Sequence, residues 1–106
     1  MADNSSYHAD IEKYVGSVNA AAVDTIVKYC GIALRSKDAS LVSCTDPDEL
    51  GRVRDGFASK KLGLSGDAAD KGMAAVCEKM KDGRMKSRVT FYYLLAEETG
   101  TMATLA

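Results

Sequence analysis

The sequence has few of the residues from which catalytic sites are usually built. Its 106 residues include one histidine, His8, one proline and no tryptophan. It contains no glycine-rich phosphate loop, no His-Glu-x-x-His and no Gly-x-Ser-x-Gly, which are motifs of nucleotide-binding proteins, zinc proteases and serine hydrolases. A lone histidine acts in a site only where the fold brings a partner within hydrogen-bond reach. We therefore expect no catalytic residue and no cofactor.

The sequence also has almost no excess of charge of either sign. The 14 lysine and arginine residues nearly balance the 15 aspartate and glutamate residues, so the net charge at pH 7 is −1. A domain this close to neutrality has no overall field that attracts nucleic acid or an anionic membrane. No apolar run approaches the roughly 20 residues of a membrane-spanning helix, and the N-terminal residues MADNSS do not resemble a signal peptide. We expect a cytoplasmic protein that does not bind membranes.

The three cysteines, Cys30, Cys44 and Cys77, are few and far apart. Metal sites usually bring their ligands in close pairs, and secreted disulfide scaffolds usually have an even number of cysteines. Cys30 and Cys77 fall on the apolar faces of expected helices, where a thiol packs as a small hydrophobic group. Cys44 stands in a polar connection, where a reactive thiol is the alternative. The pattern predicts no metal site.

Helical periodicity is what the sequence does contain. Apolar residues recur at i, i+3, i+4 and i+7 in several stretches, whereas no alternating strand pattern extends beyond a few residues. Asn19, Asp46 and Ser65 stand where helix N-caps are expected, and Glu49 occupies the third position of a capping box. The expected helices cover about residues 7–16, 20–35, 47–61, 66–82 and 87–98.

The arrangement of these helices can be inferred from the fraction of each helix surface that is apolar. The helix at residues 20–35 is apolar on nearly every side, which is typical of a buried helix. We therefore predict an all-α fold of about five helices in an irregular array around this central helix. The chain is expected to form a single domain, 1–106, with frayed tails at residues 1–6 and 101–106.

The connection at residues 36–45 is polar at both ends and apolar in its middle. Leu41 and Val42 are expected to pack beneath the bundle as a short helical turn. The alternative is a functional loop, since loops positioned by a rigid scaffold often carry function.

Two stretches resemble the signatures of a known family. Residues 28–42, KYCGIALRSKDASLV, are similar to one signature, and residues 88–96, RVTFYYLLA, are similar to a C-terminal one. The family consists of small bacterial proteins classed as a domain of unknown function, and the resemblance covers nearly the whole chain. It implies a multihelical fold and a bacterial source. It implies no activity, cofactor or catalytic residue, because the family has none assigned.

A basic segment, Lys79–Arg88, precedes the last helix. Cations at a helix start oppose the helix dipole, which favours anions there. An external anion or an acidic partner docked on the free N–H groups of the first turn would balance these cations. The candidate residues of such a site are Arg84, Lys86, Ser87 and Arg88. The plainer alternative is a solvated basic connection without a ligand.

The sequence Leu62-Gly63-Leu64-Ser65 is similar to the turn of a DNA-binding helix-turn-helix. However, the helix that follows begins with Asp67 and Asp70, which places carboxylates where DNA phosphates would lie. A DNA-binding face is normally basic, whereas the pair Lys60 and Lys61 precedes the turn. We interpret the motif as an ordinary corner between two helices.

The leading functional hypothesis is a non-enzymatic binding or regulatory domain that acts through contacts with an unidentified protein, including self-association as a homodimer. The aromatic last helix, with Met102 and Leu105, offers more apolar surface than one edge of a bundle needs. The alternative is nucleic-acid or anion binding by Lys79–Arg88. The third hypothesis, the least favoured, is a small-molecule enzyme built around His8, Cys44 or a tyrosine.

Overall fold

The fold is all-α, as the sequence predicts. The computed structural model describes residues 5–16, 18–31, 41–42, 44, 46–80 and 86–105. Within these ranges the five helices are α1 (Ser5–Glu12), α2 (Ala20–Cys30), α3 (Pro47–Val53), α4 (Gly66–Lys79) and α5 (Arg88–Glu98). A π-helical segment, Arg54–Lys61, continues α3 without a break, and a 3₁₀ turn, Met102–Thr104, follows α5. Among the described residues, no helix is both long enough and apolar enough to cross a bilayer.

Three helices begin at the N-caps that the sequence predicts. The side chains of Asn19, Asp46 and Ser65 each accept a hydrogen bond from a backbone N–H two or three residues further on, at 3.2, 3.0 and 3.3 Å. Each bond satisfies one of the N–H groups that have no partner within the helix. The starts of α2, α3 and α4 are therefore determined locally.

The helix at the centre of the fold is α5 rather than α2. Eight of the 11 residues of α5 are buried, and it packs against α1, α2 and α4. In α2, by contrast, the buried residues lie on one face, while Asp24 and Lys28 are exposed and Val27 is half-buried. The prediction took Ala22, Thr25 and Tyr29 to widen the apolar face of this helix, but Thr25 is half-buried and Tyr29 is exposed. Residues 32–35 of the predicted central helix lie outside the described residues.

The segment after α5, which the sequence predicts to be a frayed tail, packs against α2. Leu105 is 3% exposed, and the hydroxyl of Thr25 donates a hydrogen bond to its backbone oxygen at 2.7 Å. The chain turns back towards α2 at Gly100, whose φ of +70° is strained for any residue with a side chain. The apolar residue Leu105 therefore completes the core instead of extending into solvent.

Residues 41 and 42 form a strand rather than the predicted helical turn. Strands β1 (Leu41–Val42) and β2 (Lys86–Ser87) pair antiparallel, with Leu41 opposite Ser87 and Val42 opposite Lys86. This pairing gives hydrogen-bond partners to backbone N–H and C=O groups of the two strands, while the side chain of Val42 is fully buried. It also places Leu41 and Val42 beside the start of α5.

The cysteines differ from the prediction in one respect. Cys44 and Cys77 form a disulfide with their Cα atoms 5.9 Å apart, so Cys77 is not the packed thiol that its helical position suggests. Cys30 is a buried free thiol, as predicted, and burial raises its pKa to about 11. The pairing joins α4 to a connection 33 residues earlier, a proximity that sequence spacing does not reveal.

Gly72 of α4 lies in close contact with the C-terminal end of α5. A Cβ atom at this position would lie 2.6 Å from Cγ2 of Thr99 and 2.8 Å from Cδ1 of Leu95. Thr99 cannot rotate away freely, because its hydroxyl donates to the backbone oxygen of Leu95 at 2.8 Å. The helix pair therefore requires a residue without a side chain at Gly72.

Gly72→Ala should lower the free energy of unfolding by about 1–3 kcal/mol, because overpacking outweighs the gain in helix propensity. The control is Gly51→Ala in α3, where a Cβ atom would meet only Nη2 of Arg54, at 3.8 Å. That variant should be unchanged or up to about 1 kcal/mol more stable. Urea unfolding of both variants measures the difference. Equal stabilities would contradict the close approach of α4 and α5.

Candidate functional site at the start of α5

The start of α5 is where the sequence predicts an anion-binding site, and the structure brings part of that site together. Ser87 is the N-cap residue, and its side chain makes no capping hydrogen bond. Lys86 lies beside it in β2, while Arg84 lies outside the described residues, as does the side chain of Lys86. At the other end of the basic segment, Lys79 lies 3.9 and 3.8 Å from the carboxylates of Glu97 and Glu98.

Arg88 is half-buried, and its guanidinium faces side chains of the protein. Its guanidinium forms an ion pair with Glu49 of α3 through Nη2 and donates a hydrogen bond from Nη1 to the Tyr92 hydroxyl at 2.8 Å. The Arg88 and Glu49 side chains are only 13% and 14% exposed. A buried charge of this kind is tolerated when it is paired and hydrogen-bonded. Arg88 thus contacts Glu49 and Tyr92 of the same chain, and an external anion or acidic partner at Arg84, Lys86, Ser87 and Arg88 stays a prediction.

Glu49 accepts hydrogen bonds from two arginines. In addition to Arg88, Nη2 of Arg52 donates to Oε2 at 2.9 Å. Burial acts to raise the pKa of Glu49, but the hydrogen bonds and positive charges of Arg52 and Arg88 outweigh burial and lower the pKa below its usual 4.5. The carboxylate is therefore ionised at neutral pH. The side chain of Glu49 therefore contacts Arg52 and Arg88, and not the backbone N–H of Asp46 as the predicted capping box requires.

A second carboxylate approaches the first turn of α5 from α1. The hydroxyl of Thr90, which is fully buried, donates a hydrogen bond to Oδ2 of Asp10. Negative charge at the first turn of a helix is favourable because it meets the positive end of the helix dipole. Asp10 and Glu49 therefore place two carboxylates of the chain itself at the first turn of α5.

An aromatic stack leads from Arg88 to the protein surface. The ring of Tyr92 lies on that of Phe57 with centroids 4.0 Å apart and planes 13° apart, and Tyr29 contacts Phe57 edge-on at 5.3 Å. Burial raises the pKa of Tyr92, although the positive charge of Arg88 opposes this. Among the described residues, Tyr29 is the one large hydrophobic side chain that is exposed, at 43%.

A groove of about 580 Å³ lies beside Tyr29, open to solvent. It is bordered by α3 and the π-helical segment, and its lining combines small and charged residues: Pro47, Asp48, Gly51, Arg52, Arg54, Asp55, Gly56 and Lys60. A Cβ atom at Gly56, which lines the groove, would lie 3.8 Å from the Tyr29 hydroxyl, so Tyr29 is a neighbour of the lining without being part of it. π-Helical segments are rare and frequently occur at functional sites.

The charges of the groove are partly compensated within the chain. Arg54 pairs with Asp55 at 3.1 Å and with Asp70 at 3.6 Å. Lys60 and Asp48 form no ion pair within the described residues.

Sequence reasoning missed the groove because the groove depends on the π-helical geometry. The one available signal is the pair Gly51 and Gly56, five residues apart.

In the part of the chain that the structure describes, no three histidine, cysteine, aspartate or glutamate residues are arranged to hold a metal ion.

Glu49→Gln should lower the free energy of unfolding at pH 7 by about 2–4 kcal/mol, because it leaves the buried Arg88 charge without its partner. Since the pKa of Glu49 is lower in the folded state, its stabilising contribution is present above pH 4.5 and is lost as the pH falls through the folded-state pKa. The difference between wild type and variant should therefore shrink below about pH 4.5. Denaturant unfolding at several pH values measures both effects.

The control for this prediction is Glu97→Gln. Its side chain is 41% exposed and lies 3.9 Å from Lys79, so the change should cost less than about 1 kcal/mol. If Glu49→Gln were as mild as Glu97→Gln, the Arg88–Glu49 pair would be a solvated contact without structural importance.

Comparison with known proteins places the chain in a family but gives no activity. No curated protein matches the chain. The model of a family described as a protein of unknown function, DUF2853, matches residues 6–103 and so covers nearly all of the sequence. This agrees with the resemblance seen in residues 28–42 and 88–96. The chain belongs to the DUF2853 family.

Proposed function

We propose that this protein is a non-enzymatic binding domain that acts through protein contacts, and that its contact surface is the groove together with Tyr29. The observation that carries the proposal is the exposed Tyr29 ring beside the open groove. The cytoplasmic location and the bacterial source remain predictions that accompany this proposal.

The aromatic stack gives Tyr29 the properties of a binding anchor. The Tyr29 ring packs against Phe57, which is buried in the π-helical segment and stacked on Tyr92. A ring held in this way loses little conformational entropy when a partner covers it. Tyrosine and arginine are also the residue types enriched at the centres of protein interfaces.

The charges beside Tyr29 suggest what kind of partner fits. Arg52 is 69% exposed and its carboxylate partner, Glu49, is shared with Arg88, so Arg52 has hydrogen-bonding capacity towards solvent. Lys60 and Asp48 add one unpaired charge of each sign within the described residues. An open groove with both signs of charge suits an extended polypeptide segment with an apolar side chain for the Tyr29 border. Such a contact is small and therefore weak or transient.

The homodimer is one form of this proposal, but its surface differs from the one that the sequence suggested. The aromatic residues of α5 and Leu105 are buried within a single chain. A homodimer would therefore use the Tyr29 face, and solution mass measured at tens of micromolar would reveal it.

The proposal is tested by selecting peptides from a random library on the purified domain. Selected peptides should perturb the NMR signals of Tyr29, Arg52 and Lys60, and Tyr29→Ala should weaken binding about tenfold or more, as expected for an interface anchor. The control, Lys71→Ala, changes an exposed lysine on α4 outside the groove and should bind like wild type.

Two results would contradict this assignment. Peptides that bind Tyr29→Ala as tightly as wild type would show that the groove is not the contact surface. Salt-sensitive retention on heparin that is lost in Arg84→Ala would instead favour nucleic-acid or anion binding by Lys79–Arg88.

A further inference from the structure

The two walls of the groove are attached to the protein in different ways. The π-helical wall is anchored by Phe57 and Ala58, which are both buried. The α3 wall is anchored only towards its C-terminal end, where Val53 is buried and Leu50 packs against the core. The described residues from Cys44 to Glu49 are exposed or half-buried. The first turn of α3 is therefore the part of the wall with the fewest apolar contacts.

Two further links hold the first turn of α3 in place. One is the ion pair between Glu49 and Arg88. The other is the disulfide between Cys44 and Cys77, which ties the chain to α4 just before the Asp46 cap of α3. Both cysteines are half-buried. A helix start held mainly by covalent and ionic links opens locally more easily than one with buried apolar anchors.

We propose that the Cys44–Cys77 disulfide is a redox-controlled clasp on the α3 wall of the groove. A dithiol reductant breaks the bond between the two sulfur atoms through a mixed disulfide. Two electrons and two protons pass to Cys44 and Cys77, which become thiols, while the dithiol becomes a disulfide. The first turn of α3 then keeps the Glu49–Arg88 pair but loses its covalent link, so Pro47 and Asp48 no longer form a fixed part of the wall.

Cys30 does not participate in this exchange. It is buried, and burial raises its pKa to about 11, so little of the reactive thiolate is present at neutral pH. Oxidised protein should therefore contain one thiol that reacts only after denaturation, and reduced protein should contain three.

Hydrogen exchange of the oxidised and reduced forms tests the clasp. After reduction, the amides of residues 46–53 should exchange about tenfold faster or more, at times when the amides of α5 are still protected. Cys44→Ser should reproduce the reduced pattern, whereas Cys30→Ala should keep the response to reductant. Unchanged exchange at residues 46–53 would show that the disulfide does not affect α3. Simultaneous loss of protection in α5 would show that the disulfide stabilises the whole fold and not α3 in particular. Either result overturns the clasp.

The effect on binding rests on the proposed function and is measured separately, with the selected peptides. About tenfold weaker binding to the reduced form, together with the local exchange, supports control of the groove by the clasp. Equal peptide binding to the oxidised and reduced forms would contradict control of the groove by the disulfide. The groove would then still be the proposed contact surface. Absence of peptide binding in either form contradicts the proposed function, while the clasp on α3 is still decided by hydrogen exchange.

Discussion

The burial of α5 on almost all sides is the constraint on which the rest of the structure depends. A helix made of Val89, Phe91, Leu94, Leu95 and similar residues gains most by being surrounded, and α1, α2 and α4 all pack against it. The same burial encloses Arg88 in its first turn, and a charge in that position requires a partner. Glu49 meets this requirement and thereby attaches α3 to the core.

The groove is a consequence of this attachment. Because Glu49 faces α5, the opposite side of α3 carries Asp48 and Gly51 towards solvent, next to the π-helical segment. Phe57 stacks on Tyr92 from that segment and supports Tyr29 at the surface. A single contact chain thus runs from the charged start of α5 to the exposed ring, which explains why one face of the protein combines a rigid aromatic border with polar residues.

Much of the fold could be predicted from the sequence, whereas the site could not. The caps Asn19, Asp46 and Ser65 act within three residues of themselves, so helix starts, the number of helices and the all-α class were readable locally. For the basic residues before α5 the sequence left two readings open, an anion site and a solvated connection. That Arg88 pairs with Glu49, and that Cys44 meets Cys77, depends on which helices become neighbours, and one sequence does not contain that information.

The central claim is that Arg88 and Glu49 act as one buried unit. A double-mutant cycle with Arg88→Gln, Glu49→Gln and the double variant measures their coupling directly through the free energies of unfolding. The account predicts a coupling energy of about 1.5–3 kcal/mol, because each single variant leaves an unpaired buried group while the double variant does not. A coupling energy below about 0.5 kcal/mol, as for exposed pairs, would contradict it.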